Sequence, residues 1–292
     1  MTAALRVTVV VPTQGRPASL RGCLSALSLQ TGPEPPEILV VDDGSDDAES
    51  VRAVVSEFAA ARLIRQERAG PAAARNRGAR EARGELVCFT DDDCEPAPDW
   101  VARLGGALTD GVDAAGGITK SGDSGDRFAE ATEVITSYFQ RRQLRPDAFF
   151  VPSNNLACRR RLVLELPFDQ RFLSASGEDR DWCARLLRAG GRLVVEPGAV
   201  VLHFPSSGIA SFWRQHLRYG RGAYRLARGH TPRVRLQRPA FYVGLVRAGF
   251  ARGARCGMLV AVAQLATAVG FVREALSRRA EGRAVSSADD AG

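Results

Sequence analysis

The sequence has 292 residues, of which 45% are hydrophobic and 25% charged. This composition is that of an ordinary globular protein and excludes a chain that is mainly disordered, fibrous or embedded in a membrane. The net charge is +7, and Arg supplies the cationic charge except at Lys120. The six cysteines include no CxxC pair and no signal peptide precedes the first strand, which argues against a disulfide scaffold or a zinc site and favours the cytosol.

The first ninety residues alternate between strand and helix patterns. Short apolar runs predict strands at 6–12, 37–41, 63–66 and 86–89, and helical spacing predicts helices at 18–30, 46–60 and 71–83. Such an alternation is typical of an α/β fold with a doubly wound, mostly parallel sheet and right-handed crossovers.

The second half is less regular. Helices are predicted at 99–108, 127–140 and 178–189, with strands at 113–118, 192–196 and 199–204 and an extended segment at 149–158. Pro197 divides the last two strands.

The C-terminal part is basic. From Pro205 onward, 15 Arg stand against 4 acidic residues, which indicates an anionic partner. Residues 256–272 form an uncharged run with Arg on both sides, compatible with a membrane-spanning helix, a helix at a lipid surface or a packed helix in a soluble dimer. We expect a main domain at 1–220, a basic helical extension at 221–279 and a disordered tail at 280–292.

Three consecutive carboxylates follow the apolar run 86–89. They are Asp91, Asp92 and Asp93. Ligands of open α/β sheets bind beyond the carboxyl ends of the strands. Adjacent carboxylates need a counter-charge there, and Mg²⁺ or Mn²⁺ prefers carboxylate oxygens. The alternative is a solvated acidic loop.

Other polar residues follow the neighbouring strands. Gln14 and Arg16 come after the first strand and Asp43 after the second, while Arg75 lies on the helix before the acidic strand. Together they suit a nucleotide at this rim, although Asp43 also fits an Asx-type turn before Gly44. The sequence contains no GxGxxG after the first strand and no GxxxxGK[ST], so a metal-held diphosphate is the favoured mode of phosphate binding.

Two further positions carry candidate chemistry. Glu178 and Asp179 open a predicted helix, where acids complement the helix dipole, but a carboxylate at a cavity rim is also a competent general base. His203 ends a predicted strand and could complete a metal site, the alternative being an ordinary core or surface histidine.

Six segments taken together resemble the family 2 glycosyltransferases, which are inverting enzymes with the GT-A fold. The resemblance covers roughly residues 5 to 220. The segments are VVVPT at 9–13, ILVVDDGS at 38–45, GPAAARN at 70–76, FTDDDCEP at 89–96, GED at 177–179 and VLH at 201–203.

This resemblance implies a role for each matching residue. Asp179 is similar to the family's catalytic base, with Glu178 beside it. On the donor side the resemblance implies Pro12, Gln14, Asp43, Arg75, Asp91 and Asp92. As metal ligands it implies Asp93, Asp91 and His203. On the acceptor or phosphate side we expect Asn155, Trp182, Gln215 and Arg218.

The segment QHLRY at 215–219 is similar to the QxxRW motif of processive members but has Tyr219 in place of Trp, which argues against a processive synthase. The resemblance implies a hexosyltransferase that uses Mg²⁺ or Mn²⁺, a nucleotide-sugar donor and an acceptor hydroxyl. The basic extension predicts an anionic membrane surface as partner and a peripheral location on the inner face of the plasma membrane, and such a surface suits a glycan or lipid-linked acceptor in cell-envelope glycan or glycolipid assembly. Nucleic acid is not expected as a partner, because the sequence has no recognisable nucleic-acid-binding module and a general bias towards Arg accounts for much of the charge.

Two other functions stay open at this point. A sugar-nucleotide nucleotidyltransferase also combines a nucleotide-binding α/β domain with metal-binding acids, but it usually carries a Gly-rich basic loop after the first strand. A catalytically inactive, Arg-rich binding protein is the non-enzymatic alternative.

Overall fold

The computed structural model describes residues 6–32, 34–123, 125–143, 150–172, 176–205, 207–228 and 238–289. The strands in these ranges are β1 Val7–Thr13, β2 Glu37–Asp43, β3 Ala61–Gln66, β4 Leu86–Phe89, β5 Cys94–Pro96, β6 Ala114–Ser121, β7 Leu156–Arg159 and β8 Leu193–His203. The helices are α1 Pro17–Ser28, α2 Ala48–Ser56, α3 Pro71–Glu81, α4 Trp100–Ala107, α5 Arg127–Gln143, α6 Arg160–Glu165, α7 Glu178–Arg188, α8 Ile209–Arg228, α9 Pro239–Phe250 and α10 Ala254–Asp289.

The first four strands form the parallel half of the sheet, as the alternating pattern predicts. β1 lies between β2 and β4, β3 flanks β2, and these three pairings are parallel. Nearly every residue of β1, β2 and β4 is buried, because helices cover both faces of the sheet. The carboxyl ends of these strands therefore meet along one edge.

The second half makes the sheet mixed. Among the described residues the strand order is β3-β2-β1-β4-β7-β6-β8-β5. β7 lies antiparallel between β4 and β6, while β8 pairs in parallel with β6 and antiparallel with β5. This arrangement brings the carboxyl end of β8 next to the loop that follows β4.

One predicted detail of this half is wrong, and one strand was not predicted. The strands expected on either side of Pro197 are one continuous strand, β8, because a register shift against β6 between Gly116 and Ile118 absorbs the irregularity. The unpredicted strand is β5. It is too short to show a period of two, and only its hydrogen-bonded pairing with β8 identifies it as a strand.

Apolar side chains cover both faces of the sheet. Successive residues of a strand point to opposite faces, so Val9 and Val11 enter one buried cluster and Val10 enters another. The first cluster contains the fully buried Trp100 of α4, and the second contains Trp182 of α7. These two layers hold the strand ends in place.

The C-terminal helices pack as a third cluster with α5. α8 and α10 approach so closely that a Cβ on Gly220 would clash with the backbone of α10, and one on Gly270 with the backbone of α8. Glu274 of α10 also pairs with Arg221 and Arg225 of α8. The extension is thus a packed layer of helices.

Two helices run across the expected domain limits, which stay predictions. Residue 220 lies inside α8, which ends at Arg228. α10 continues past residue 280 as far as Asp289. Residues 290–292 lie outside the described ranges.

Candidate active site

The rim of the parallel strands collects acidic and basic side chains, as the strand-end argument predicts. Thr13 ends β1, and its hydroxyl donates to Asp92 Oδ2 at 2.6 Å. Arg16, one turn further, forms ion pairs with both Asp92 and Asp93. One guanidinium therefore compensates two of the three carboxylates that follow β4.

Asp92 is the most enclosed member of this group. Its side chain has no exposed surface, and burial raises the pKa of Asp92 to about 7, although Arg16 opposes the shift. Asp92 is therefore an internal anchor for Thr13 and Arg16, and the outer face of the rim is left to Asp91 and Asp93.

Asp93 meets His203 at the end of β8. His203 Nε2 lies 3.4 Å from Asp93 Oδ1, while Asp93 Oδ2 accepts a hydrogen bond from Arg16 at 2.5 Å. Burial alone would raise the pKa of Asp93, but His203 and Arg16 outweigh it and hold the pKa well below the usual range. Burial likewise would lower the pKa of His203, yet the contact with Asp93 raises it.

The residues at this point fit a divalent cation. Asp93, Cys94 and His203 each present one ligand atom, and these atoms lie within 4.8 Å of one another. An ionised carboxylate and an imidazole suit Mn²⁺, and Asp91, whose side chain is 30% exposed, lies in the same loop. The sequence predicted Asp93 and His203 here; Cys94 was not among the predicted ligands.

Arg75 links the acidic loop to the start of α7. It donates to Asp91 Oδ1 at 2.6 Å and to Glu178 Oε1 at 2.9 Å, and its side chain is 2% exposed. The guanidinium of Arg75 thus lies between two carboxylates that are far apart in the chain, and its role beside the donor stays a prediction.

Glu178 and Asp179 are held in different ways. Both oxygens of Glu178 are engaged, one by Arg75 and the other by the backbone N–H of Ser176. Burial and the charge of Asp179 raise the pKa of Glu178 to about 7 against the opposing effect of Arg75. Asp179 is half-buried and accepts from the backbone N–H of Arg180, and burial raises its pKa as well.

Gly177, which precedes this pair, has φ +96°. In this left-handed region a side chain would be strained, so glycine lets the backbone turn directly into α7. Arg180 is then stacked on the rings of Phe139 and Phe150, with its guanidinium carbon 5.1 and 4.8 Å from their centroids. Gly177 before Asp179 and Arg180 after it therefore fix the position of the turn that carries Asp179.

A family model decides the class of this chain. The model for glycosyl transferase family 2 matches residues 8–166, which is more than half of the sequence. The chain belongs to glycosyl transferase family 2. It is a transferase enzyme, and its mixed sheet with a parallel first half is the GT-A fold that the resemblance implied.

Several named proteins are similar to this family 2 glycosyltransferase. Glycosyltransferase AglE of Haloferax volcanii is 29% identical over 225 residues, which are 74% of this chain and 72% of that protein. The pre-mycofactocin glycosyltransferase of Mycobacterium tuberculosis is 30% identical over 237 residues, 78% of this chain but 49% of that protein. The chain thus spans about half the length of this second relative.

A solved structure shares the fold. The mannosyltransferase PcManGT from Pyrobaculum calidifontis, solved in complex with GDP-Man and Mn²⁺, superposes with a TM-score of 0.62 at 21% identity. The similarity covers 97% of this chain and 81% of that one. It therefore includes the C-terminal helices as well as the sheet.

The other predicted donor residues also lie at the rim of this glycosyltransferase. Pro12 is buried in β1, and the carboxamide of Gln14 lies against the guanidinium of Arg68. Asp43 accepts hydrogen bonds from the side chain of Gln66 and from the backbone of Ala69 and Gly70. Asp43 therefore shapes the loop that enters α3.

The Asx-type turn considered for Asp43 is made by its neighbour. Asp42 Oδ1 accepts from the backbone N–H of Ser45 at 2.9 Å and from its hydroxyl at 2.5 Å. Asp42 therefore closes the turn after β2.

The four residues expected on the acceptor side separate into two pairs. Asn155 and Trp182 are fully buried, Asn155 between Trp100 and Ala199, and Trp182 with its indole N–H on Leu166. Both side chains make hydrogen bonds inside the protein, and their role on the acceptor side stays a prediction.

The second pair lies on α8. Gln215 is half-buried and donates to the hydroxyl of Tyr219 at 2.8 Å, while Arg218 is exposed. Burial raises the pKa of Tyr219, and the charges of Asp179 and Asp93 add to this shift, so this part of α8 interacts electrostatically with the candidate site. The acceptor-side role of Gln215 and Arg218 stays a prediction.

Proposed function

We propose that this glycosyltransferase moves a sugar from a nucleotide-sugar donor to an acceptor hydroxyl with inversion at the anomeric carbon. The observation that carries the proposal is the buried Arg75, which joins Asp91 of the donor loop to Glu178 beside the proposed base. Through this one side chain, the groups expected to hold the leaving diphosphate and the group expected to take the proton belong to one network.

The donor is proposed to lie along the rim, with its base towards Pro12, Gln14 and Asp43 and its ribose near Asp92. Arg16 and Thr13 hold the loop that presents Asp91 and Asp93. A divalent cation, Mg²⁺ or Mn²⁺, held by Asp93 and His203 with Asp91 nearby would supply Lewis-acid stabilisation of the leaving nucleoside diphosphate.

Asp179 is the proposed general base. Glu178 is unsuited to this task because Arg75 and Ser176 occupy both of its oxygens. Asp179 is half-buried, and burial raises its pKa, which strengthens it as a proton acceptor. It takes the proton of the acceptor hydroxyl, the new C–O bond forms at the anomeric carbon, and the bond to the diphosphate breaks on the opposite face.

The acceptor is proposed to approach from the side of α8, past Gln215 and Arg218. His203 also lines a small hollow between β6 and α5. The hollow is rich in hydroxyl groups suited to a saccharide, and its other lining residues are Thr119, Lys120, Ser121, Ala129, Thr132, Glu133, Thr136 and Pro205. Glycan or lipid-linked acceptors of cell-envelope or glycolipid assembly fit this polar opening.

A peripheral membrane location on the inner face of the plasma membrane is part of the proposal. Residues Ala254–Ser277 of α10 form a helix long and apolar enough to cross a membrane. Its exposed side carries an apolar stripe, flanked by exposed Arg255 and Arg273, that consists of Met258, Ala261, Leu265, Ala268, Val272 and Leu276. An apolar stripe with flanking Arg suits the interface of an anionic lipid surface.

The donor site is tested by thermal shift with a panel of nucleoside diphosphates and sugar nucleotides, with and without Mn²⁺. GDP and GDP-mannose are tried first, because the solved mannosyltransferase is a complex with GDP-Man and Mn²⁺. We expect a Mn²⁺-dependent rise in Tm for one nucleotide that is lost in Asp93→Ala and kept in Asp110→Ala, an exposed acid on the loop before β6. No shift with any nucleotide would overturn the donor site.

The reaction class is tested by the leaving group. A transferase releases nucleoside diphosphate when the matching sugar nucleotide and an acceptor are supplied. Release of pyrophosphate from a nucleoside triphosphate and a sugar phosphate would instead identify a nucleotidyltransferase.

The lipid surface is tested by co-sedimentation with vesicles. We expect binding to vesicles that contain phosphatidylglycerol and weaker binding to phosphatidylcholine alone. Leu265→Glu, in the apolar stripe, should reduce binding, whereas Leu29→Glu, an exposed leucine after α1, should not. Equal binding by both variants would refute the role of the stripe.

A further inference from the structure

Cys94 follows the three acids directly. Of the three residues whose ligand atoms cluster here, Asp93, Cys94 and His203, it is the one to which the proposed reaction assigns no role. It lies in β5, where it stands opposite His203 of β8 in an antiparallel pair. Directly opposite residues of an antiparallel pair project from the same face of a sheet. The Cys94 thiol and the His203 imidazole therefore share one side of this two-stranded edge, and both face Asp93.

The three ligand atoms are spaced as ligands of one small ion. Asp93 Oδ1 lies 3.4 Å from His203 Nε2 and 3.8 Å from Cys94 Sγ, and all three atoms fall within 4.8 Å of one another. In a tetrahedral zinc site, with bonds of about 2.0 Å to oxygen and nitrogen and about 2.3 Å to sulfur, ligand atoms are roughly 3.3–3.8 Å apart. Small side-chain adjustments would complete such a site.

We propose that Asp93, Cys94 and His203 form a binding site for a thiophilic divalent cation, Zn²⁺ or its analogues, with the fourth position open. This mode differs from the one proposed for the donor, in which oxygen ligands and a diphosphate hold Mg²⁺ or Mn²⁺. The absence of a CxxC pair, which argued against zinc, concerns structural sites with several thiolates, whereas one thiolate with His and a carboxylate is an open site.

One neighbour of the thiol suits this mode. The side chain of Asn154 donates to the sulfur of the buried Cys94 at 3.6 Å, a contact that would also stabilise a thiolate. Burial and the charges of Asp93 and Asp91 raise the pKa of the thiol, so the cation itself has to displace the thiol proton. The second oxygen of Asp93 remains with Arg16, whereas Oδ1, which contacts His203 Nε2 and the Cys94 thiol, would turn to the ion. When Zn²⁺ binds, a zinc–sulfur bond replaces the S–H bond and the proton passes to solvent.

Hard ions and thiophilic ions would respond differently to this thiol. Mg²⁺ and Mn²⁺ favour oxygen ligands, whereas zinc binds thiolate, imidazole and carboxylate together. Both kinds of ion need Asp93, so only one can be bound at a time. Zn²⁺ should therefore act as a competitor of Mn²⁺ at the donor site.

The experiment uses the full, tag-free chain and Co²⁺ as a spectroscopic substitute for Zn²⁺, without any nucleotide or sugar. We expect a sulfur-to-cobalt charge-transfer band in the wild type that Zn²⁺ abolishes. The band should be absent in Cys94→Ser and Cys94→Ala and unchanged in Cys256→Ser, another buried cysteine, which lies on α10. Zn²⁺ affinity, measured against a chromophoric chelator, should fall more than about tenfold in both Cys94 variants.

Clear results would overturn the inference. Co²⁺ binding without a charge-transfer band in the wild type excludes the thiolate ligand, and this arm holds even if the Cys94 variants do not fold. Equal Zn²⁺ affinity of wild type and folded Cys94→Ala does the same. Because the experiment contains no donor, its failure leaves the nucleotide-dependent thermal shift, and with it the proposed function, untouched.

Discussion

Replacing Arg75 by Met should destabilise the protein strongly, because it leaves the buried carboxylate of Glu178 without its cation. The side chains of both residues are less than 5% exposed. Breaking a buried ion pair from one side costs about 3–5 kcal/mol. At roughly 2 °C per kcal/mol for a domain of this size, the Tm should fall by roughly 6–10 °C at pH 8.

The loss should depend on pH in a definite direction. The pKa of Glu178 is about 7 in the folded protein, where Arg75 lowers it, so the Arg75→Met variant raises it further above the ordinary value of 4.5. In both proteins the folded carboxyl holds a proton that the unfolded chain has released, but only the variant keeps it above about pH 7, so the loss relative to wild type grows as the pH rises from about 7 to 8. At pH 5 the carboxyl is protonated in both proteins, and we expect the cost to be about 1 kcal/mol smaller than at pH 8.

The assay is urea unfolding of wild type and variant at pH 5 and pH 8. Arg77→Met is the matched control, because Arg77 lies on the same helix and pairs with Glu81 on the surface, where such a pair contributes less than about 1 kcal/mol. The double variant Arg75→Met with Glu178→Gln should recover part of the lost stability. A loss equal at both pH values, or equal to that of the control, would refute the assigned charge state of Glu178.

Four further predictions concern turnover, metal and packing. Asp179→Asn should abolish nucleoside diphosphate release while leaving the nucleotide-induced thermal shift within experimental error of wild type; normal turnover would remove Asp179 as the base. Glu178→Gln should retain more activity than Asp179→Asn, because Glu178 holds the loop and does not take the proton. EDTA should abolish the nucleotide-induced shift and Mn²⁺ should restore it, and a shift that persists in EDTA would contradict metal-held diphosphate binding. Gly270→Ala should cost about 1–3 kcal/mol, since its new methyl group would lie 2.1 Å from the carbonyl oxygen of Leu217, whereas Gly106→Ala in open space on α4 should be neutral or stabilising in thermal unfolding.

Local patterns predicted the parallel half of the fold well. Its strands are buried on both faces and read as unbroken apolar runs such as LVCF before the acids. The second half depends on pairings between distant segments, such as β5 with β8, and on a register shift that lets β8 pass Pro197. Neither leaves a periodic signal in the sequence, so the mixed order of strands could not be derived from it.

The candidate site shows the same division. Residues at or shortly after the end of a strand, such as His203 and Asp93, could be placed at the rim from the sequence alone. The pairing of Arg75 with Glu178 could not be predicted, because no local sequence pattern links the two residues. The acceptor-side role of Asn155 and Trp182 stays a prediction, because a polar or aromatic side chain has the same signature in the sequence whether it binds a ligand or packs in the interior. Cys94 entered the sequence analysis only as a member of the segment FTDDDCEP. Its position next to Asp93 was the one feature of the sequence that could have indicated a metal ligand.

The hydrogen bond from Arg75 to Glu178 joins residues 103 positions apart in the chain, and this has a consequence for folding. An N-terminal half that folded early would gather the three acids with Arg16 and Arg75 but would still lack Glu178 and His203. Its buried Arg75 would be only partly neutralised until the later segments had packed. The incompletely neutralised charge raises the free energy of partly folded forms. We therefore expect the two halves of the sheet to unfold in one cooperative transition, and we expect no stable nucleotide-binding fragment.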